Sequence, residues 1–172
     1  MLNAYKTMRI IVDGYNLIRR SPELSALDRE DLEKGREGLL GLLVSYQHLT
    51  GHRITVVFDG REAGFPVEHQ QKVGGVSVIF SKRGESADAV IIRLSSSGAV
   101  VVTSDRPLRE AAERAGAFSI EAEVFLTKVE EALYRRMKGL EDEEEAAPAK
   151  RKGPAKRPSK AARRREELLR KL

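Results

Sequence analysis

Short runs of β-branched residues alternate with longer helical stretches along this chain. Three such runs, Arg9 to Val12, Ile54 to Phe58 and Val100 to Thr103, are bounded by polar residues or glycine. Apolar runs of this length are typical of parallel strands that are covered on both faces. A fourth run, Val76 to Phe80, follows two glycines, and we expect it to be shorter or to lie nearer a sheet edge.

Helical periodicity fills the intervals between these runs. One apolar stripe begins at Leu32 and has Gly51 as its stop, and a second follows Ser86, which is a suitable N-cap. Two more helices are predicted, over residues 106–115 and 121–138. Strands that alternate with helices indicate an α/β fold, with a mostly parallel sheet and helices on both of its faces.

Composition excludes several classes of protein. Cysteine is absent from the 172 residues, which rules out disulfide scaffolds, thiolate zinc sites and cysteine nucleophiles. No apolar run approaches the ~18–20 residues of a membrane helix, and the run at residues 10–12 is too short for a signal peptide. We therefore expect a cytoplasmic protein with about one folded domain.

Charge is unevenly distributed along the chain. Lys and Arg number 31 against 26 Asp and Glu, a net charge of +5. Residues 1–140 have a net charge of +1, the acidic run Glu141 to Glu145 contributes −5, and residues 146–172 contribute +9. The basic character therefore belongs to the last segment and not to the body.

The same change of composition predicts three segments. Residues 1–139 form the folded domain, residues 140–149 an acidic linker rich in Ala and Pro, and residues 150–172 a basic tail. Low-complexity sequence buries too little apolar surface to offset its ordering entropy, so we expect the tail to be disordered or partly helical. A short helix over residues 161–172 is expected to be detached from the body.

Aspartates follow the predicted strands at the point where each one ends. Asp13, Asp59 and Asp105 come just after three different strands, and Asp88 lies at the start of a predicted helix. Ligands of open parallel sheets bind at the carboxyl ends of the strands, so these side chains are expected to meet at one edge. Clustered carboxylates repel one another unless cations compensate, and Mg²⁺ or Mn²⁺ prefers such oxygen ligands.

Each of these aspartates also has an ordinary structural explanation. Asp13 and Asp59 each precede a glycine, as turn residues do, and Asp105 and Asp88 suit helix N-termini. Their coincidence at three strand ends favours a site. Other sites lack support, because the chain has no G-x-G-x-x-G and no P-loop motif, and its three histidines show no paired metal spacing.

Four motifs together resemble the YacP-like branch of the NYN domains, which are similar to the PIN superfamily of metal-dependent nucleases. The motifs run from Val12 to Ile18, Val57 to Gly60, Glu85 to Asp88 and Val102 to Asp105. The resemblance covers about residues 8–138. It implies a PIN-like three-layer α/β/α sandwich and an endoribonuclease that depends on Mg²⁺ or Mn²⁺. The family includes a ribosome-associated endonuclease that cleaves mRNA.

The resemblance also implies roles for individual residues. Asp13, Asp88 and Asp105 would be the central catalytic metal ligands. Asp59 would be an accessory metal carboxylate. Catalytic roles in orienting ligands or water would belong to Asn16 and Ser104.

An acidic site needs basic residues around it to hold a polyanion. Candidate phosphate contacts flank the motifs and recur in the tail, where a flexible polycation would bind messenger or ribosomal RNA without sequence preference. These candidates are Lys82, Arg83, Arg106, Arg109, Lys150, Arg151, Lys152, Arg163, Arg164 and Arg165.

Two functions are compatible with the sequence. The first is a metal-dependent endoribonuclease that hydrolyses RNA with metal-activated water, with the ribosome as a candidate partner and no membrane association. The second is a non-catalytic adaptor that binds RNA or the ribosome on a PIN-like fold. The set of aspartates favours the first, since a pure binder has no need to collect negative charge where RNA would lie.

Overall fold

A six-stranded sheet forms the centre of the computed structural model, which describes residues 7–63, 65–139 and 159–172. Its strands are β1 (Arg9–Asp13), β2 (Arg53–Phe58), β3 (His69–Val73), β4 (Val76–Phe80), β5 (Ala99–Val102) and β6 (Phe118–Ile120). They lie in the order β3-β4-β2-β1-β5-β6, and β3 alone among them runs antiparallel to its neighbour. The prediction of a mostly parallel sheet is confirmed.

Helices cover both faces of this sheet. They are α1 (Gly14–Arg20), α2 (Pro22–Glu30), α3 (Leu32–Thr50), α4 (Gly60–Ala63), α5 (Ala87–Leu94), α6 (Arg106–Arg114), α7 (Ala122–Met137) and α8 (Lys160–Lys171). Side chains of α1, α2, α3 and α7 form one apolar cluster with the sheet. Side chains of α5 and α6 form a second cluster on the opposite face. The three-layer α/β/α arrangement is therefore confirmed.

Alternation along the buried strands divides the core into these two clusters. In β1, Ile10 and Val12 pack in the larger cluster, whereas Ile11 between them packs in the smaller one. All three side chains are fully buried. Because both faces of the strand are covered, its residues form a continuous apolar run and not an alternating one.

The predicted helix ends follow from local chemistry. Ser86 Oγ accepts the backbone N–H of Ala89 at 3.2 Å, which caps α5. Gly51 ends α3 in the left-handed region at a φ of 71°, a conformation that glycine adopts without a steric penalty. Both boundaries agree with the sequence prediction.

The C-terminal helix α8 lies against the body, so the expectation that it is detached is wrong. Leu168, Leu169 and Leu172 pack against the larger core cluster. The Nε2 atom of His52, which is buried, lies 3.1 Å from the backbone oxygen of Lys171, and the hydroxyl of Tyr46 donates to the backbone oxygen of Leu172. The sequence prediction relied on the basic composition of this segment and did not consider its leucines. The surface against which these leucines pack exists only in the folded domain.

The predicted linker at residues 140–149 lies outside the described residues, and so do residues 150–158 of the predicted tail. The segment boundaries proposed there stay predictions. No helix in the described ranges is both long enough and apolar enough to cross a membrane.

Candidate active site

Asp13 is the last residue of β1, a strand that lies between β2 and β5. Its side chain is 9% exposed, and Oδ2 accepts a 2.9 Å hydrogen bond from the Thr103 hydroxyl. Position at the end of a central strand accounts for this burial, because helices and neighbouring strand ends surround the residue. A carboxylate so placed is costly to ionise.

The electrostatics of Asp13 reflect that burial. Loss of solvation raises the pKa of its carboxyl from the ordinary range to about 6, against the opposing effect of the Thr103 hydrogen bond. The negative charges of Asp88 and Asp105 raise it further. Strongly raised pKa values of this kind are common at functional sites.

Three more aspartates surround Asp13 at this edge of the sheet. Asp88 lies in the first turn of α5, and its pKa is raised by partial desolvation and then by the charges of Asp105 and Asp59. Asp105 is the N-cap of α6, where Oδ1 accepts the N–H of Leu108 at 2.9 Å. The structure thus brings all four predicted carboxylates into one electrostatically coupled group.

Asp59 interacts with one member of this group, Asp88. It directly follows β2, and its Oδ1 accepts the backbone N–H of Arg61 at 2.9 Å. It contributes to the raised pKa of Asp88 but does not figure among the charges that raise the pKa of Asp13. The accessory role expected for Asp59 stays a prediction.

Thr103 connects two of the aspartates, a role that the sequence analysis missed. Its hydroxyl donates to Asp13 and also accepts the backbone N–H of Asp105 at 3.1 Å. The residue is fully buried directly after β5. The sequence signal that could have predicted this role is a hydroxyl residue directly after an apolar strand and two positions before an aspartate.

Asn16 and Ser104 join the site to its supporting helices. Asn16 Oδ1 accepts the backbone N–H of Ser104 at 2.8 Å, which connects α1 to the loop after β5. The Ser104 hydroxyl donates to Glu123 and accepts the N–H of Ala122 at 3.1 Å. Both side chains thus make structural contacts that hold the Asp105 loop in position.

Glu123 is a further acidic residue at this edge that the sequence analysis did not single out. The Ser104 hydroxyl lowers its pKa, and the charge of Arg20, whose guanidinium lies 3.2 Å away, has the same effect. In the sequence it resembles an ordinary acidic residue in the first turn of a helix. Its contact with Ser104 depends on the proximity of α7 to the loop after β5, which the sequence does not show.

The basic residues predicted to contact RNA differ in their surroundings. Arg109 pairs with Glu121 at 2.7 Å, and Arg106 pairs with Glu110 at 2.9 Å, so both have intramolecular partners. Lys82 and Arg83 are exposed in the loop between β4 and α5. These two are the better placed for an external anion.

The tail cations are only partly described. Arg163, Arg164 and Arg165 lie on the exposed side of α8, and the Arg164 guanidinium is 5.0 Å from the ring centroid of Phe118. This contact is a cation–π interaction with β6. Lys150, Arg151 and Lys152 lie outside the described residues, so their role stays a prediction.

The aspartates do not form a complete metal cage by themselves. Within the described ranges, no three Asp, Glu or His side chains lie close enough together to hold an ion as a group. In the same part of the chain, none of the four aspartates forms a salt bridge with Lys or Arg. Among the described residues, the charge of the group is thus not compensated by a salt bridge.

Comparison with known proteins places this arrangement in a family. Residues 10–171 match the family model of the YacP-like NYN domain. The chain is 33% identical over 146 residues to the YacP protein of Bacillus subtilis (strain 168), with 80% of this chain and 85% of the relative covered.

Solved structures agree with the sequence match. A crystal structure of Rae1 (YacP) from Bacillus subtilis superposes with a TM-score of 0.65 at 31% identity, over 77% of this chain and 79% of that one. A mutant of the same protein gives a TM-score of 0.66 at 30% identity, over 80% and 87% of the two chains. The family match includes α8, which the motif-based resemblance did not cover. The chain therefore belongs to the YacP-like NYN domain family, a PIN-like family of nucleases.

Proposed function

We propose that this protein is a metal-dependent endoribonuclease that hydrolyses RNA phosphodiester bonds with water. The observation that carries the proposal is the coupled group of Asp13, Asp88 and Asp105 at the carboxyl edge of a parallel sheet. Ligands of such sheets bind at this edge. Membership in a nuclease family supports the same reaction class.

The donor set fits Mg²⁺ or Mn²⁺. Its side chains offer carboxylate oxygens. Burial, and to a lesser extent mutual repulsion, raises the pKa values of Asp13 and Asp88, and a divalent cation would favour their ionised forms. Mg²⁺ is commonly held by one or two carboxylates together with water and substrate phosphate, so a three-ligand protein cage is not required. One or two of Asp13, Asp88 and Asp105 would bind the ion directly, the rest would contact its waters, and Asp59 would be an accessory carboxylate.

A bound ion would supply a water of lowered pKa and stabilise the negative charge that develops on the phosphate. The chain's own residues prepare the site for this. Thr103 orients the Asp13 carboxylate and holds the backbone of Asp105. Asn16 positions the backbone of Ser104, which precedes Asp105. Their hydrogen bonds keep the ligand oxygens in place before substrate arrives.

The proposed substrate is messenger or ribosomal RNA in the cytoplasm. The ribosome is a candidate partner. Lys82 and Arg83 would contact phosphates near the site. The exposed cations of α8 would form a second contact, beside β6 at the other side of the sheet. Since α8 is docked, they would form part of a fixed surface and not a flexible arm.

The proposal is tested by the substitution Asp105→Asn. Asparagine is as good an N-cap as aspartate, so α6 should keep its start while one negative oxygen is lost. We expect wild-type protein to cleave single-stranded RNA with Mg²⁺ or Mn²⁺ and the variant to lose at least a hundredfold in rate, on the order of a lost electrostatic contact in an active site. The matched control is Asp31→Asn, a change at the N-cap of α3.

The adaptor hypothesis gives the opposite result. If the protein is an adaptor, the wild type and Asp105→Asn should bind RNA with equal affinity. Neither of the two proteins should then cut free or ribosome-bound RNA with any divalent metal. That outcome would overturn the nuclease proposal. Cleavage that is unchanged in Asp105→Asn would overturn the assignment of the site.

A further inference from the structure

A small cavity opens beside the acidic group, between the loop that follows β2 and the loop that follows β4. Its volume is about 310 Å³, and it is lined by Gly60, Arg61, Phe65, Arg83 and Gly84. This volume is near the lower end of ligand pockets, which range over about 300–1,000 Å³. A cavity of about 720 Å³ lies under α8, but none of the four aspartates lines it.

The two loops around the small cavity are joined to each other. Ser81 donates its backbone N–H to Phe58 at 3.0 Å, and its hydroxyl accepts the N–H of Gly60 at 3.0 Å. A Cβ at Gly60 would lie 1.7 Å from the backbone oxygen of Ser81, so only glycine allows this approach. The cavity wall is therefore built by backbone packing and is not a chance gap between side chains.

The same loops carry two of the aspartates. Asp59 directly precedes Gly60, and its carboxylate accepts the N–H of Arg61. Asp88 lies four residues after Gly84, in the first turn of α5. The cavity is thus adjacent to the acidic edge where the scissile phosphate would be placed.

Its two guanidinium groups are available to an anion. Arg61 and Arg83 are exposed, and neither forms a salt bridge with the side chains that the structure describes. Arg93 differs from them, because it pairs with both Glu68 and Glu85. Unpaired guanidinium groups beside a site suit phosphate, whose oxygens accept two parallel hydrogen bonds from one arginine.

An aromatic ring lies on the same cavity. Phe65 donates its backbone N–H to Gly60 at 3.3 Å, which holds it at the cavity wall. Its ring packs against His69, with 4.7 Å between centroids and 8° between planes, and against Phe80 at 5.0 Å. His69 covers one face of the ring and these contacts restrict it, and a nucleobase in the cavity would pack against the part of Phe65 that lines it.

We propose that this cavity binds one nucleotide of single-stranded RNA next to the scissile phosphate, with its base against Phe65 and its phosphate held by Arg61 and Arg83. This inference rests on the proposed function, since it takes RNA as the substrate of the adjacent edge. One nucleotide would contact both kinds of lining side chain, with its phosphate at the two arginines and its base at the aromatic ring. A free anion would contact the arginines but not the ring.

The arginines are tested by equilibrium binding of labelled oligouridine to full-length protein in EDTA. We expect Arg61→Gln with Arg83→Gln to reduce the slope of log affinity against log salt by about 1.4, which is ~0.7 for each single-strand phosphate contact. The control Arg114→Gln, an exposed cation at the far end of α6, should reduce it by less. An equal effect of the control and the double variant would overturn the assignment of the arginines.

Phe65 is tested by photocrosslinking with oligouridine that contains 5-iodouridine. A stacked base should give a crosslink that peptide mass spectrometry maps to Phe65, and Phe65→Leu should remove it. Crosslinks that map only elsewhere would overturn the proposal. If Phe65→Leu fails to fold, the wild-type crosslink and the double arginine variant still decide the question.

The variant Asp105→Asn separates this inference from the proposed function. It should keep the crosslink and the salt slope while it loses cleavage. If cleavage requires Asp105 but the cavity variants bind as wild type does, the nucleotide subsite alone is wrong. If Asp105→Asn cleaves normally, the proposed function is wrong, whatever the cavity binds.

Discussion

The hydroxyl of Thr103 donates a 2.9 Å hydrogen bond to Oδ2 of Asp13, and both side chains are buried. The bond joins the ends of β1 and β5, two neighbouring parallel strands. It favours the ionised carboxylate in a place where loss of solvation favours the neutral acid. Thr103 thereby helps to determine the pH at which Asp13 is available as a ligand.

Replacing this hydroxyl should alter the pH dependence of cleavage. Thr103→Val keeps the shape of the side chain but removes the donor, so we expect the pKa of Asp13 to rise and the acidic limb of the cleavage profile to move to higher pH. Thr103→Ser keeps a hydroxyl and should retain the wild-type limb. Rates measured from pH 5 to 9 check this, and identical profiles for Val and Ser would contradict it.

The stability of metal-free protein should fall as the pH rises through the range of Asp13. Its folded pKa of about 6 lies above the unfolded value of about 3.9, so the folded state binds the proton more tightly. Stabilisation by the proton is complete below pH 4 and is lost by about pH 6. The difference between the folded and unfolded pKa values of Asp13 corresponds to roughly 3 kcal/mol for one buried group.

The substitution Asp13→Asn should remove this pH dependence. We expect the variant to be more stable than wild type above pH 6, and to lose that advantage near pH 4. Urea unfolding in EDTA at pH 4, 5, 6 and 7.5 measures the difference. A difference that stays constant across this range would show that the pKa of Asp13 is the same in the folded and unfolded protein.

Divalent metal should stabilise the folded protein through the same carboxylates. Because an ion that binds only the folded state raises its stability by mass action, millimolar Mn²⁺ should raise Tm at pH 7.5. The rise should be smaller at pH 5, where protons compete for Asp13, and should be lost in Asp88→Asn. Differential scanning calorimetry with Asp31→Asn as the control decides whether the effect belongs to the acidic group.

Docking of α8 should contribute measurably to stability. Leu168→Ala with Leu169→Ala removes two partly buried side chains from the core, and we expect a loss on the order of 2–4 kcal/mol in the free energy of unfolding. Arg163→Gln changes an exposed residue of the same helix and should have little effect. Equal unfolding curves for all three proteins would indicate a detached helix.

Several elements were predictable because their signals are local. The runs that became β1, β2, β4 and β5 are apolar on both faces, and Ser86 and Gly51 mark helix ends through their own chemistry. The helices of residues 32–50 and 87–94 follow the same logic. Such features depend on a few adjacent residues, so the sequence alone is sufficient to find them.

Other elements depend on partners that are distant in the chain. Strand β6 has only three residues and is defined by pairing with β5, whereas β3 is a polar strand defined by pairing with β4. Helix α8 has a strongly basic sequence, and its leucines become partly buried only where they pack against the larger core cluster. No short window of sequence contains those partners.

The candidate site divides in the same way. The order of residues was sufficient to predict that carboxylates follow several parallel strands and lie at one edge of the sheet, because parallel strands share the direction of their carboxyl ends. The folded chain shows which groups interact there: Thr103 bonds to Asp13, Ser104 contacts Glu123, and a cavity lies beside Asp59. Hydrogen bonds and desolvation act over a few ångströms in space, and only the folded chain defines those distances.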